Sequence, residues 1–340
     1  MHGRKTMINI LSLFDGISAA KVALENLGIK IDNYYSSEID KYAIQVSKNN
    51  HPDIIQLGDA KSIIIKDDYI FYNQDNDPMQ SSFKADIHLL IGGSPCQDLS
   101  IAKKDGKGLR GERSSLFFEY VRILKEVKPK FFILENVASM KKEAKNEMTN
   151  YLFGIEPITI NSSLLTAQQR KRHYWCGALQ EDGTYKKVEI EQPQDKGILL
   201  RDILESGLPY QEKAHSLTAS YNGAVFWNSI KKKQRSMIVE PVRLGYFNKG
   251  GQADRIYSVL GKSICLGANG GGGGANTGLY KIDLPDGDYN IRKLIPNECA
   301  RLQGFPDFYH NGISNTQAYK CYGNSFTVPV IEHIIKQLTD

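Results

Sequence analysis

Long apolar runs are missing from this 340-residue chain. None approaches the roughly 18 residues that a membrane-spanning helix needs, so no such helix is expected. Cysteine is scarce: Cys96, Cys176, Cys265, Cys299 and Cys321 are odd in number, far apart and never spaced as C-x-x-C. That argues against a disulfide framework and a zinc site, and for a reducing cytosol, with one thiol still open to service as a nucleophile. The N-terminal Met1-His2-Gly3-Arg4-Lys5-Thr6 is basic, but no apolar core with a small-residue cleavage site follows, so no secretory signal is read and Met7 is taken as the native start. Gly261-Lys262-Ser263 mimics a phosphate loop, yet the glycine required five residues upstream is replaced by Ile256. Charge of one sign is not in excess either, since 43 Lys+Arg stand against 38 Asp+Glu for a net +5.

What is present describes a folded globular protein. A content of 41% hydrophobic and 24% charged residues excludes wholesale disorder. The length suits one large domain or two of ordinary size. Charge is unevenly placed. Between Lys231 and Lys262, eight basic residues (231, 232, 233, 235, 243, 249, 255 and 262) face only Glu240 and Asp254. Smaller basic excesses lie at 101–113, with Lys103, Lys104, Lys107, Arg110 and Arg113, and at 170–173, with Arg170, Lys171, Arg172 and His173. Each stretch alone suits a solvated surface as well as a groove for a polyanion.

The first half alternates short apolar runs with helical periodicity. Ile8–Phe14, Asn33–Ser37, Ile54–Leu57, Ile87–Ile91 and Phe131–Leu134 read as strands; Ala19 to Leu27, stopped by Gly28, and Tyr42–Asn50 read as helices. The last two strands are continuously apolar, as strands buried on both faces of a parallel sheet are. The expected class is therefore α/β, a doubly wound and mostly parallel sheet. Texture changes after residue 180: eleven of the 30 glycines fall between Gly245 and Gly278, among them the run Gly270 to Gly274. The division expected is a first domain over 7–180, a smaller loop-rich domain over 181–290, and a return segment over 291–340 ending in an amphipathic helix from Val328 to Leu338.

Ligands of open α/β sheets bind beyond the carboxyl ends of the strands. There the chain places Phe14-Asp15-Gly16-Ile17-Ser18 after the first strand, Glu38-Ile39-Asp40 after the second and Gly58-Asp59 after the third. A glycine turn with an acid at the next strand end suits a nucleoside ribose, and the turn lacks the full G-x-G-x-x-G that a dinucleotide pyrophosphate asks for. The fourth strand ends in Gly92-Gly93-Ser94-Pro95-Cys96-Gln97 and the fifth in Glu135-Asn136-Val137. A thiol and a carboxylate thus leave the same sheet edge. A carboxylate ending an apolar strand is costly to bury unless it has a partner or a task.

With these residues assembled, the chain resembles the cytosine-5 DNA methyltransferases over nearly its whole length, with the motifs in the family's order. Ser94-Pro95-Cys96-Gln97 is similar to the Pro-Cys nucleophile motif, Glu135-Asn136-Val137 to Glu-Asn-Val and Gln168-Gln169-Arg170-Lys171-Arg172 to Gln-x-Arg-x-Arg. Arg292-Lys293-Leu294 through Arg301-Leu302-Gln303-Gly304-Phe305-Pro306 resembles the segment that organises the target-recognition domain, and Gly323-Asn324-Ser325 the closing motif. The catalytic half is nearest in flavour to the de novo vertebrate branch, and the glycine-rich part to bacterial or phage members. Ser18 departs from the second glycine of many bacterial members, at the methionine end of the cofactor.

The resemblance implies a Rossmann-like class I methyltransferase fold, S-adenosylmethionine as cofactor and no metal. It implies double-stranded DNA as partner, a companion restriction endonuclease as a further one, and a prokaryotic or phage-infected cytoplasm. The cofactor residues it implies are Phe14, Asp15, Gly16, Ile17 and Ser18 in the turn, Glu38 on the ribose with Ile39 beside it, Asp59 on the adenine with Ala60, then Pro95, Leu116, Asn324, Ser325 and Phe326. Cys96 would add to cytosine C6, with Glu135 at N3 and the exocyclic amine, Arg172 at O2, and Arg170 helping to form the thiolate. Lys103, Lys104, Lys107, Arg110 and Arg113, with hinges at Gly106, Gly108 and Gly111, would clamp phosphates around a flipped base. Arg243, Arg255 or Asn269 would read base edges. The rivals are RNA (tRNA) cytosine-5 methylation and a catalytically silent DNA-binding paralogue. An amino-methyltransferase is disfavoured because no Asp/Asn-Pro-Pro-Tyr/Phe occurs.

Overall fold

Each apolar run becomes a strand. In this computed structural model, residues 7–72, 81–94, 115–206, 208–209, 212–223, 236–241, 245–246, 255–258, 279–281 and 289–339 are described. The central sheet has eight strands, β1 (Ile8–Leu13), β2 (Ile31–Ser37), β3 (Ile55–Gln56), β4 (Leu89–Gly93), β5 (Phe131–Val137), β6 (Ile158–Asn161), β7 (Lys171–Leu179) and β8 (Tyr185–Lys187), in the order β8-β7-β5-β4-β1-β2-β3, with β6 also paired to β7. Contacts among β1 to β5 are parallel. By contrast β7 runs antiparallel to β5, β6 and β8. The connection reverses direction between β1 and β4, which is where such sheets open a crevice.

Period-two alternation sends neighbouring side chains to opposite faces, and both faces are apolar. Ile10, Leu89, Ile91 and Ile133 enter one cluster; Leu11, Leu13, Leu90, Phe132 and Leu134 enter the other. Among the described residues, seven helices accompany the sheet: α1 (Ala19–Asn26), α2 (Lys41–Asn50), α3 (Ser115–Val127), α4 (Lys142–Tyr151), α5 (Pro296–Gln303), α6 (Asn315–Asn324) and α7 (Val328–Thr339). Side chains of α1, α2 and α7 share the first cluster, those of α3 and α4 the second. The sequence stop of α1 is a Schellman ending: Gly28 at φ 65° donates to the Glu25 carbonyl and Ile29 to that of Leu24. The α2 start is capped by Asp40, whose carboxylate accepts from the amides of Tyr42 and Ala43.

The structure adds what periodicity hid. Strands β6 to β8 form an antiparallel edge, and β7 opens with Lys171-Arg172-His173, which breaks any apolar run. Between β3 and β4 lies a meander, Ile64–Lys66, Tyr69–Tyr72 and Ser81–Lys84, turned at Asp67 and Asp68, both with positive φ as tight hairpins need. Paired strands also span the two expected domain boundaries. Gly177–Leu179 pairs with Tyr185–Lys187, and Tyr289–Lys293 with Met237–Pro241. A further small sheet joins Gly245–Tyr246, Arg255–Ser258 and Leu279–Lys281. No described helix is long and apolar enough to cross a membrane.

Candidate active site

The turn after β1 is bent by three left-handed residues, Phe14 at φ 57°, Gly16 at 61° and Ser18 at 60°. Only glycine adopts that conformation freely, so Phe14 and Ser18 need compensation. Asp15 supplies it. Its buried carboxylate accepts four hydroxyls, from Ser12 at 2.5 Å, Ser18 at 2.6 Å, Tyr34 at 2.7 Å and Ser36 at 2.8 Å. Ser18 thus takes a glycine-like backbone and anchors it through its side chain. The turn is laced to β2 as well, because Gly16 N–H donates to Glu38 Oε2 at 2.8 Å, while Glu38 Oε1 accepts from the amides of Ile39 and Asp40. Burial pushes the Glu38 carboxyl above its ordinary pKa, against those three amides that lower it.

Beyond this turn lies a cleft of about 290 Å³, lined by Phe14, Gly16, Glu38, Ile39, Leu116, Glu135, Arg170, Arg172 and Asn324 among others. A slot of about 100 Å³ adjoins it, lined by Phe14, Ser37, Glu38, Ile39, Asp59, Ala60, Lys61 and Leu116. Ile39 is 72% exposed, an apolar side chain at the lip of a polar cleft and open to stacking on a flat ligand. Asp59 caps the short turn Ala60–Ser62 with one carboxylate oxygen on Lys61 N–H at 3.0 Å.

Glu135 and Arg172 meet across β5 and β7. Antiparallel register sets Arg172 opposite Val137 and Tyr174 opposite Glu135, and Arg172 Nε bonds Glu135 Oε1 at 2.8 Å with side chains 15% and 12% exposed. Glu135 Oε2 stands over Gly93, where an added Cβ would lie 3.2 Å from it, so the glycine leaves the carboxylate its space. Asn136 works on the other side of the strand. Its amide donates to the Ser94 carbonyl at 3.2 Å and hydroxyl at 3.0 Å, fixing the residue two before Cys96. Its place in the Glu-Asn-Val motif was the available signal, though that motif alone assigns Asn136 no task.

Arg170 lines the cleft and is anchored among backbone carbonyls. The guanidinium is buried and donates to three backbone carbonyls, Leu217 at 2.9 Å, Ser325 at 2.9 Å and Gly323 at 3.3 Å. It ties the start of β7 to Leu217 and to the C-terminal end of α6. Asp15, Ile17, Ser18, Ser325 and Phe326 have buried side chains that support the cleft from beneath and are absent from its lining. Lys320, which pairs with Asp40, and Cys321 are among the cleft residues to which sequence reasoning assigned no role. Pro95, Cys96, Lys103, Lys104, Lys107, Arg110, Arg113, Arg243 and Asn269 lie outside the described residues, and Arg255 begins the strand Arg255–Ser258. Among the described residues no three His, Cys, Asp or Glu side chains gather as metal ligands do.

A doubly wound, mostly parallel sheet with a cleft at its topological switch point is the fold of solved methyltransferases. The Entamoeba histolytica methyltransferase EhMeth superposes at a TM-score of 0.63 with 19% identity over 98% of each chain. S. pombe Dnmt2 does so at 0.57 with 16% identity over 97% of this chain and 98% of that one. A model of the C-5 cytosine-specific DNA methylase family matches residues 8–340, and the chain belongs to that family of enzymes. The type II methyltransferase M.HhaI of Haemophilus parahaemolyticus is 32% identical over 97% of this chain and 93% of its own length. The orphan methyltransferase M.SPRI of Bacillus phage SPR is 26% identical over 97% of both.

Proposed function

We propose that this enzyme transfers the methyl group of S-adenosylmethionine to C5 of a cytosine flipped out of duplex DNA, through a covalent bond between Cys96 Sγ and C6. The observation that carries the proposal is the largely buried 2.8 Å Arg172–Glu135 pair, at the same carboxyl edge of the sheet as the slot walled by Phe14, Glu38, Ile39 and Asp59. The donor set suits the cofactor: Phe14 and Ile39 offer apolar faces to an adenine, Glu38 a carboxylate to vicinal hydroxyls, and Asp59 an acceptor for an amine. When bound, S-adenosylmethionine supplies an electrophilic methyl on a sulfonium.

The chain's own groups activate the base. Cys96 thiolate adds to C6 and makes C5 enamine-like, which an unactivated pyrimidine is not. Glu135 holds the exocyclic amine and shares a proton at N3, offsetting the charge that develops there. Arg172 donates to O2 and keeps Glu135 aligned, a planar two-sided task that lysine performs poorly. After methyl transfer, loss of the C5 proton expels Cys96 as thiolate, so the enzyme is regenerated. Arg170 braces this geometry through its bonds to the Leu217, Gly323 and Ser325 carbonyls. The target atom is out of reach inside a duplex, which calls for base flipping. Residues 181–290, with their basic window, are assigned to target recognition, and the loop from Lys103 to Arg113 to the phosphates.

The test is base-resolution 5-methylcytosine mapping in a host without cytosine methylation, expressing the parent or Cys96→Ala. Methylation confined to one short motif and lost in the variant is expected, with S-adenosylhomocysteine binding retained. Methylation undiminished by Cys96→Ala overturns the nucleophile; a soluble parent that methylates RNA but not DNA overturns the substrate.

A further inference from the structure

Arg122 lies on α3 and is held by its own helix. Nε bonds Glu119 Oε2 at 2.9 Å and Nη1 bonds Glu126 Oε2 at 3.0 Å. Clamped in this way, the remaining amino group points off the helix. Nη2 donates to the carbonyls of Ala60 at 3.3 Å and Ile63 at 3.0 Å. Those carbonyls belong to the short turn that carries Asp59 and Ala60 on one wall of the slot, while Leu116, on the first turn of α3, lines the same slot.

Ser37 Oγ ties the Gly58 carbonyl, just before the turn, to β2 at 2.8 Å, and the other bonds of the turn itself are local. Ser62 N–H and hydroxyl both go to the Asp59 carbonyl, and Lys61 N–H goes to the Asp59 carboxylate. They shape the turn without fixing its distance from α3. Burial of Ala60 and Ile63 presses the turn inward, but apolar packing is non-directional. The two directed bonds from a guanidinium pre-oriented by two carboxylates set where the turn sits. A lysine ammonium is a single point donor and cannot satisfy both glutamates and both carbonyls in one plane.

We infer that Arg122 is a positioning residue that sets the width of the slot and so its fit to the adenine ring. The inference rests on the reading of the cleft as an S-adenosylmethionine site. Arg122 does not itself line the slot; it acts through Ala60 and Ile63.

The test uses full-length protein, with S-adenosylhomocysteine and adenosine as probes. Binding of each is measured for the parent, Arg122→Lys and Arg122→Met, alongside steady-state methyl transfer on DNA and circular dichroism melts. Losing two hydrogen bonds from a charged donor is expected to weaken both probes alike, by about tenfold. KM for S-adenosylmethionine should rise by the same factor with kcat within about twofold, and Arg122→Lys should not rescue. Adenosine affinity unchanged in folded variants overturns the inference. So does S-adenosylhomocysteine weakened while adenosine is not, or kcat lowered with KM unchanged. Should both Arg122 variants unfold, Glu126→Gln decides, because it loosens the guanidinium without deleting it. Adenosine binding weakened about two- to threefold there supports the inference, and unchanged binding overturns it. A parent that binds neither probe defeats the reading of the cleft instead.

Discussion

Gly323→Ala is a substitution for which local and tertiary physics give opposite signs. Gly323 lies in α6, and its φ is not of the left-handed kind. On helix propensity alone, alanine gains up to about 1 kcal/mol over glycine. The surroundings reverse this. A Cβ there would stand 2.3 Å from Thr218 C, 2.4 Å from Ala219 N and 2.5 Å from Thr218 O, all backbone atoms. That backbone has little freedom to yield, since Gln168 Oε1 accepts Leu217 N–H at 2.7 Å and Arg170 donates to Leu217 O at 2.9 Å. Overpacking of this kind costs about 1–3 kcal/mol. Pushing Leu217–Thr218 outward also weakens an Arg170 bond worth about 1.5–3 kcal/mol. Setting the two losses against the propensity gain, a net destabilisation of about 3 kcal/mol is expected. Urea unfolding followed by far-ultraviolet circular dichroism measures it, and S-adenosylhomocysteine affinity should fall too, because Gly323 lines the cleft. A variant as stable as the parent, or more so, refutes the reasoning.

Burial lowers the pKa of His51, His173 and His310 below the ordinary imidazole value. The unfolded chain then takes up protons first as pH falls through about 6.5. Their contribution is complete above that pH and is lost below it, so unfolding free energy measured at pH 7.5 and at 5.5 should be smaller at the lower pH; equal values at both would contradict it. Burial also raises the thiols of Cys176 and Cys321 to about 12, which keeps them protonated at neutral pH. Iodoacetamide at pH 7.5 with mass-spectrometric mapping should leave both unmodified in the native protein, and rapid labelling of Cys321 would show that the cleft holds a second reactive thiol.

The parallel half of the fold was legible because its strands are buried on both faces and therefore read as unbroken apolar runs, and because Gly28 ends α1 as a glycine past a helix does. The antiparallel edge was not, since Lys171, Arg172 and His173 begin β7 with polar side chains, of which Arg172 lines the cleft. In the site, residue types at strand ends announced Glu38 and Glu135, whose backbone positions follow from the topology. The direction of a side chain was harder to read. Asp15 and Ser18 stand in the cofactor turn by sequence, yet each turns inward to satisfy the other. Arg170 and Arg172 are two residues apart, and only tertiary contacts separate a brace among carbonyls from a partner of Glu135.

The Arg170 brace also bears on when the enzyme can be complete. Its carbonyl partners lie 47, 153 and 155 residues further along the chain, and the Asn26–Glu332 bond between α1 and α7 spans 306. Such distant closures come late in folding because loop entropy must be met before they form. On the ribosome the central strands emerge first, but the cleft lacks Cys321, Gly323 and Asn324 until the final stretch has been synthesised. A truncated or nascent chain therefore carries Glu38 and Glu135 at their strand ends without a finished cleft around them.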